Sequence, residues 1–266
     1  GTHFWSLKLF SLLFMAAYLF LGKYGVKKIF DEKTAVYFML FSLLMPSMCV
    51  QAGNARMYAM GLFFFTATGL LAWGILQEST GKKWILFCLC SVGSVYSHTF
   101  TMLQTFILYL ILLGALLWRK KYALIKWYLG SGLAVAACYT VWLSVIYRQM
   151  QTRISSAGGN EEQFIPNMYT LMDYCKEWFS AMDTPITLVI YLGMALTLFL
   201  GYYAVDSMRD SGCYVPAWGM AILGLTALAG GLLSYYVTPC FLGRYIFCGF
   251  GALALMGWRP AALAML

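Results

Sequence analysis

The sequence predicts an all-α, polytopic integral membrane protein of about nine transmembrane helices plus one helix in the outer interface, all in a single transmembrane domain over 1–266. Three observations carry that prediction. Of 266 residues, 62% are apolar and 11% are charged, with 18 basic and 10 acidic side chains, against about 25% charged in an ordinary soluble domain. The charges gather in short clusters and leave runs longer than the ~20 residues a helix needs to cross a bilayer. Aromatic residues make up 18% of the chain, with 9 Trp and 19 Tyr, which suits a boundary where one end of a ring is wet and the other is not. A water-soluble globule of this size is excluded.

The charge-free runs are 34–55, 57–77, 84–118, 127–147, 184–205 and 211–243, with further apolar stretches at 4–22 and 241–258. The run 84–118 is too long for one crossing. As a single helix it would extend ~52 Å at 1.5 Å per residue, against a hydrocarbon core of ~30 Å. Its polar break is Ser97-His98-Thr99, so a turn is expected there. The predicted spans are 4–22, 34–50, 56–77, 84–98, 102–118, 123–147, 185–204, 214–237 and 241–258.

Sidedness follows from Lys and Arg. One set of alternate loops holds Lys23, Lys27, Lys28, Lys33, Lys82, Lys83, Arg119, Lys120, Lys121, Lys126, Arg209 and Arg259, twelve in all, against six in the other set. Without the turn at His98 the split is ten against eight. Nine spans therefore obey the positive-inside rule better, and they put Gly1 outside and Leu266 inside. The net charge of +8 then has a topological explanation, and nucleic-acid binding is not expected. The chain opens Gly-Thr-His-Phe-Trp with no charged segment before its first span, so no secretory signal peptide is read there. An outside start without Met predicts that an upstream span and its outer loop have been lost.

The outer segment 148–184 is not a span. Ser155-Ser156-Ala157-Gly158-Gly159-Asn160 has loop composition. After Pro166-Asn167, apolar residues recur at Met168, Leu171, Met172, Cys175, Trp178, Phe179 and Met182, which predicts an interfacial helix over 168–182. Asp173, Lys176 and Glu177 fall on its other face, and Asp183-Thr184-Pro185 restarts a helix.

Polar residues at outer span ends are the candidates for chemistry, because charge within hydrocarbon is costly. Gln51, Asn54, Arg56 and Tyr58 lie between the second and third spans, His98 between the fourth and fifth, and Arg244-Tyr245 at the start of the ninth. An Arg at a helix start opposes the macrodipole. It either snorkels to lipid head groups or clamps a phosphate through its bidentate fork. His98 has three readings: a hydrogen bond to substrate, a metal ligand, or a partner for backbone exposed in the turn. The eight cysteines are not a disulfide scaffold. Cys49, Cys88, Cys90, Cys138 and Cys248 sit in apolar runs, and Cys88-x-Cys90 lacks His or acidic neighbours for a metal. No metal site is assigned.

Pro46-x-x-x-x-Gln51-x-x-x-Ala55-Arg56-Met57-Tyr58, then Tyr96-Ser97-His98, then Gly243-Arg244-Tyr245 resemble the polyprenyl-phosphate-sugar-dependent glycosyltransferases of the GT-C class. Protein O-mannosyltransferases and lipid A aminoarabinose transferases are branches of it. The opening Phe4–Leu13 stretch is also similar, with Lys8 where an Arg is common. The resemblance implies transfer of a hexosyl or pentosyl group from a polyprenyl-phosphate donor to a lipid, glycan or protein acceptor. The site would lie on the extracytoplasmic face of an inner or plasma membrane. It further implies that Arg56, His98 and Arg244 contact donor phosphate or sugar, supported by Tyr58, Tyr245, Asn54 and Gln51. Such enzymes use an acidic base in the first outer loop, often with a divalent cation. That loop would precede Gly1, and a second acidic position is here Asn54. Within this chain Asp173, Glu177 and Asp183 are the candidate bases. The competing readings are a transporter or flippase of lipid-linked or small polar substrates, and a noncatalytic subunit that binds lipid-linked sugar.

Overall fold

The computed structural model describes residues 4–54, 56–156, 215–236, 247–249 and 251, and among these every regular element is helical. Helix α1 (Phe4–Phe20) continues through a π-helical turn, Leu21–Val26, into Lys27–Ile29. It is followed by α2 (Glu32–Leu44), α3 (Pro46–Gly53), α4 (Tyr58–Gln77), α5 (Gly81–Ser97), α6 (Thr99–Trp118), α7 (Ile125–Ser156) and α8 (Val215–Tyr236). Four stretches are long and apolar enough to cross a membrane: Lys8–Ile29, Tyr58–Gln77, Thr99–Trp118 and Tyr122–Arg148. A bent pair, Glu32–Leu44 with Ser47–Gly53, makes up to five. The expected nine fall short because α5 has 17 residues, because the apolar part of α8 is the shorter stretch Ala221–Leu233, and because 185–204 and most of 241–258 lie outside the described residues. The predicted interfacial helix at 168–182 and its loop lie outside them too.

Local chemistry sets the helix ends. Asp31 caps α2 by accepting from Thr34 N–H at 2.7 Å and from the Thr34 hydroxyl at 2.9 Å. Thr80 caps α5, accepting from Lys83 N–H. The expectation of one continuous helix over 34–50 is corrected, since α2 and α3 meet at a 70° bend. Pro46 explains it. The ring disfavours helical backbone in the preceding residue, and Met45 sits at φ −73°, ψ 117°. The link 54–57 separates α3 from α4, so Arg56 lies before the helix start rather than within its first turn. At the far end of α7, Ser155 and Ser156 are still helical, so the loop expected from them begins later.

The turn at His98 is present, and the direction of each neighbouring helix can be read from its hydrogen bonds. Ser94 pairs with Thr105 at 2.8 Å, and Tyr109 donates to Ser91 at 3.3 Å, so α5 and α6 run antiparallel. Cys88 faces the Ser131 carbonyl and Tyr96 donates to the Cys138 carbonyl, so α5 and α7 run parallel. The Ser11 hydroxyl donates to the Arg56 carbonyl at 3.1 Å, which ties the first half of α1 to the start of α4. One end of the bundle therefore gathers Ser11, the link 54–57 and the His98 turn. The opposite end gathers Asp31, Glu78, Lys83 and Lys121.

Packing between the helices mixes apolar and small polar groups. Leu62, Phe87, Leu108 and Leu112 are buried, and so are Ser91, Ser94, Thr101, Gln104 and Thr105. Burying hydroxyls and an amide between helices is favourable in lipid when they bond across the interface. The residues described near 250 insert into this interior. A methyl on Gly61 would meet Cys248 Sγ at 2.7 Å and Thr101 Oγ1 at 3.3 Å, and one on Gly249 would meet Leu223 of α8. Large apolar side chains such as Leu13, Leu44, Leu89, Phe106, Leu133 and Val141 point outward, and Trp118 is 88% exposed. An apolar exterior over long apolar helices is compatible with a lipid bilayer as surroundings.

The basic residues at the opposite end do more than set topology. The last carbonyls of a helix lack intrahelical donors. On α4 the Lys83 ammonium donates to the Gly74 and Glu78 carbonyls at 3.3 and 2.6 Å, and Lys121 donates to Leu76 at 2.6 Å. Both cations lie at the negative end of that helix dipole.

Sidedness is open to a direct test. In a cysteine-free background, Gly53→Cys and Lys82→Cys place single thiols at exposed positions on opposite ends. A membrane-impermeant maleimide applied to whole cells is expected to label the thiol at position 53 and spare that at 82. Equal or reversed labelling overturns the orientation.

Candidate functional site

The site is built where α3 ends, α4 begins and α5 turns into α6. Gln51, on the last turn of α3, is buried and accepts from Asn54 Nδ2 at 3.4 Å. Asn54 closes α3 in extended backbone, and its carbonyl accepts from Arg56 N–H at 2.8 Å. With Ser11 bound to the Arg56 carbonyl, the Arg56 backbone is held on both sides while the residue itself is exposed. No described carboxylate forms an ion pair with it. Two residues on, Tyr58 opens α4 and is 2% exposed.

His98 is the N-cap of α6. Its Nδ1 accepts from Phe100 N–H at 3.1 Å, and its ring stacks on Phe100 at 5.9 Å between centroids. Of the three readings for this residue, the backbone one is observed. It constrains the others, because an imidazole whose Nδ1 accepts carries its proton on Nε2 when neutral, which makes that edge a donor rather than an acceptor. The Tyr58 ring lies 5.8 Å from the His98 ring and 6.5 Å from that of Phe247. Cys248 Sγ faces the Tyr58 carbonyl at 3.7 Å. Three chain segments distant in sequence thus meet around Tyr58.

Of the predicted site residues, the structure brings Tyr58 and His98 into contact and places Gln51, Asn54 and Arg56 at the same end. Arg244 and Tyr245, and the candidate bases Asp173, Glu177 and Asp183, lie outside the described residues. Phe100, Phe247 and Cys248 were not anticipated. Nothing in an apolar run marks Phe247 or Cys248, but the sequence does carry a signal for the buried polar residues of α5 and α6. Ser91, Ser94, Ser97, Thr101, Gln104 and Thr105 recur at helical spacing inside 84–118, and Gln104 is 0% exposed.

A divalent cation does not fit the described residues here. Hard cations take oxygen ligands, whereas the described carboxylates Asp31, Glu32 and Glu78 all belong to the opposite end. Nδ1 of His98 is already an acceptor for backbone. Among the described residues no group of three His, Cys, Asp or Glu side chains is placed to hold a metal, and Cys88 packs on α7 instead. What the arrangement offers is a cation on a held link, an imidazole donor edge and an aromatic wall. That combination suits an anionic group attached to a ring or chain with apolar faces.

Comparison with known protein families, with curated proteins and with solved structures found no match in any of the three.

Proposed function

We propose that the chain is a membrane glycosyltransferase of GT-C type, taking a hexosyl or pentosyl group from a polyprenyl-phosphate donor to a lipid, glycan or protein acceptor on the extracytoplasmic face. The contact between the Tyr58 and His98 rings carries this reading. It joins two motifs that are 40 positions apart on one end of the bundle, beside the exposed Arg56. In transfer, the bond between the sugar's anomeric carbon and the phosphate oxygen breaks as an acceptor hydroxyl attacks, and charge grows on the departing phosphate. Arg56 supplies a forked cation for that charge, and His98 Nε2–H supplies a second donor. Tyr58, with Gln51 and Asn54 behind the link, holds the two in place. Arg244 and Tyr245 are assigned to the same donor, and Asp173, Glu177 or Asp183 to the base that takes the acceptor proton. The outer-face assignment rests on the Lys and Arg bias.

The test is binding of a short-chain polyprenyl-phosphate hexose to the purified chain in detergent. Saturable binding, competed by the polyprenyl phosphate alone, is expected. His98→Asn is expected to weaken it about tenfold, the effect of one hydrogen bond to a charged group. Asparagine is a strong N-cap, so α6 keeps its start while the imidazole donor is lost. Absence of binding, or equal binding by this variant, overturns the assignment.

A second reading, a transporter or flippase, draws on the bent pair α2 and α3, since broken helices commonly frame transport sites. Movement of intact donor across a vesicle bilayer without sugar transfer would favour it. Donor binding with neither movement nor transfer would favour a noncatalytic binding subunit.

A further inference from the structure

We infer that the basic corner formed by the α4–α5 and α6–α7 links is a binding surface for anionic phospholipid head groups. The inference rests on membrane embedding and is independent of glycosyl transfer. Six basic residues gather there, Lys82, Lys83, Arg119, Lys120, Lys121 and Lys126, and among the described residues Glu78 is the one carboxylate in those links. Three of the six are engaged internally. Lys83 holds the Gly74 and Glu78 carbonyls and the Glu78 carboxylate, Lys121 holds Leu76, and Arg119 lies 5.3 Å over the Trp73 ring. Lys82, Lys120 and Lys126 are exposed, and their ammonium groups make no hydrogen bond or ion pair with any described residue.

The two links form one surface. The Trp127 ring comes within 4.0 Å of a Cβ placed on Gly81, and Lys121 of one link bonds a carbonyl just before the other. Trp118, Tyr122 and Trp127 are exposed around it, which is the aromatic flank that settles at head-group level. Unpartnered cations beside such rings are complementary to an anionic head group whose acyl chains run along the adjacent apolar helices.

Lys120 adds a second argument. Helix α6 ends in a paired closure, with Lys121 N–H on the Leu116 carbonyl and Lys120 N–H on the Leu117 carbonyl, the arrangement in which the residue after the C-cap turns left-handed. Lys120 occupies that position at φ 53°, where glycine is free of strain and a lysine is not. The turn therefore carries a charge at a conformational cost.

The same position gives a test that unfolding cannot imitate. The Lys82→Gln, Lys120→Gly, Lys126→Gln chain removes three cations while relieving the strained turn. The control chain, Lys23→Gln, Lys28→Gln, Lys33→Gln, removes three from the other basic stretch of the same end. Native mass spectrometry of each in detergent, titrated with phosphatidylglycerol or phosphatidylcholine, reads the preference for the anionic lipid. Wild type and control are expected to prefer phosphatidylglycerol at least about tenfold, and the corner variant to lose that preference. An unchanged preference in the corner variant, or an equal loss in the control, overturns the proposal. Retention in carbonate-washed membranes checks embedding separately, so a chain that washes out sinks both readings while one that stays isolates the lipid result.

Discussion

Gly251→Ala is expected to destabilise the chain by about 1–3 kcal/mol, the usual range for overpacking, and Thr66→Ala in the same chain to restore most of the loss. A methyl at position 251 collides with Thr66 Oγ1 and comes within 3.0 Å of its Cγ2 and 3.1 Å of its Cβ. Truncating Thr66 removes the first two atoms and leaves a contact that a shift of a few tenths of an ångström relieves. The Thr66 hydroxyl is buried and makes no hydrogen bond with any described residue, so removing it leaves none of them unsatisfied. Denaturant unfolding in detergent of the wild type, both single variants and the double completes the cycle. Gly69→Ala serves as a control, because no described atom lies within 4 Å of the added methyl and alanine favours a helix interior. A neutral Gly251→Ala, or a double variant as unstable as the single, would show that residue 251 does not lie on α4.

Arg56→Ala is expected to weaken binding of the polyprenyl-phosphate hexose by about 2 kcal/mol, roughly thirtyfold, by removing a charge-assisted contact to phosphate. Deeper burial of this arginine would predict a larger loss. The residue is exposed on its link, so water compensates part of the missing contact. Arg56→Lys should recover some affinity, since lysine keeps the charge without the planar fork. Folding should be little affected, because the interactions that hold the link use backbone atoms of residue 56. Equal affinity in all three chains would leave Arg56 as a head-group anchor and remove it from the donor site.

Several elements were legible in the residues alone because each rests on a local rule. The turn at His98 followed from the length of one apolar run and its polar break, and α5 ends one residue before it. The start of α4 was read within two residues. The bend at Met45 was missed although Pro46 was in view, because an apolar run of the right length outweighed the ring's effect on the residue before it. The lysines were read as topology alone, because the capping of the α4 carbonyls by Lys83 and Lys121 depends on where two separate links come to rest.

Composition and spacing by themselves determined long apolar helices, which every described element bears out as helical, the breaks between most of them, and a set of polar residues at matching helix ends. These are short-range properties, fixed by hydropathy, charge and backbone chemistry within a few turns. Tertiary structure alone decided that the Tyr58 ring meets those of His98 and Phe247, that His98 Nδ1 is turned to backbone, and that Cys248 and Gly251 pass against α4. Each of those contacts depends on which faces of helices distant in sequence pack together. In an apolar chain many faces are equally greasy, so hydropathy ranks them poorly. Steric fit of small residues and pairing of buried hydroxyls choose among them, and neither can be evaluated until the helices have been brought side by side.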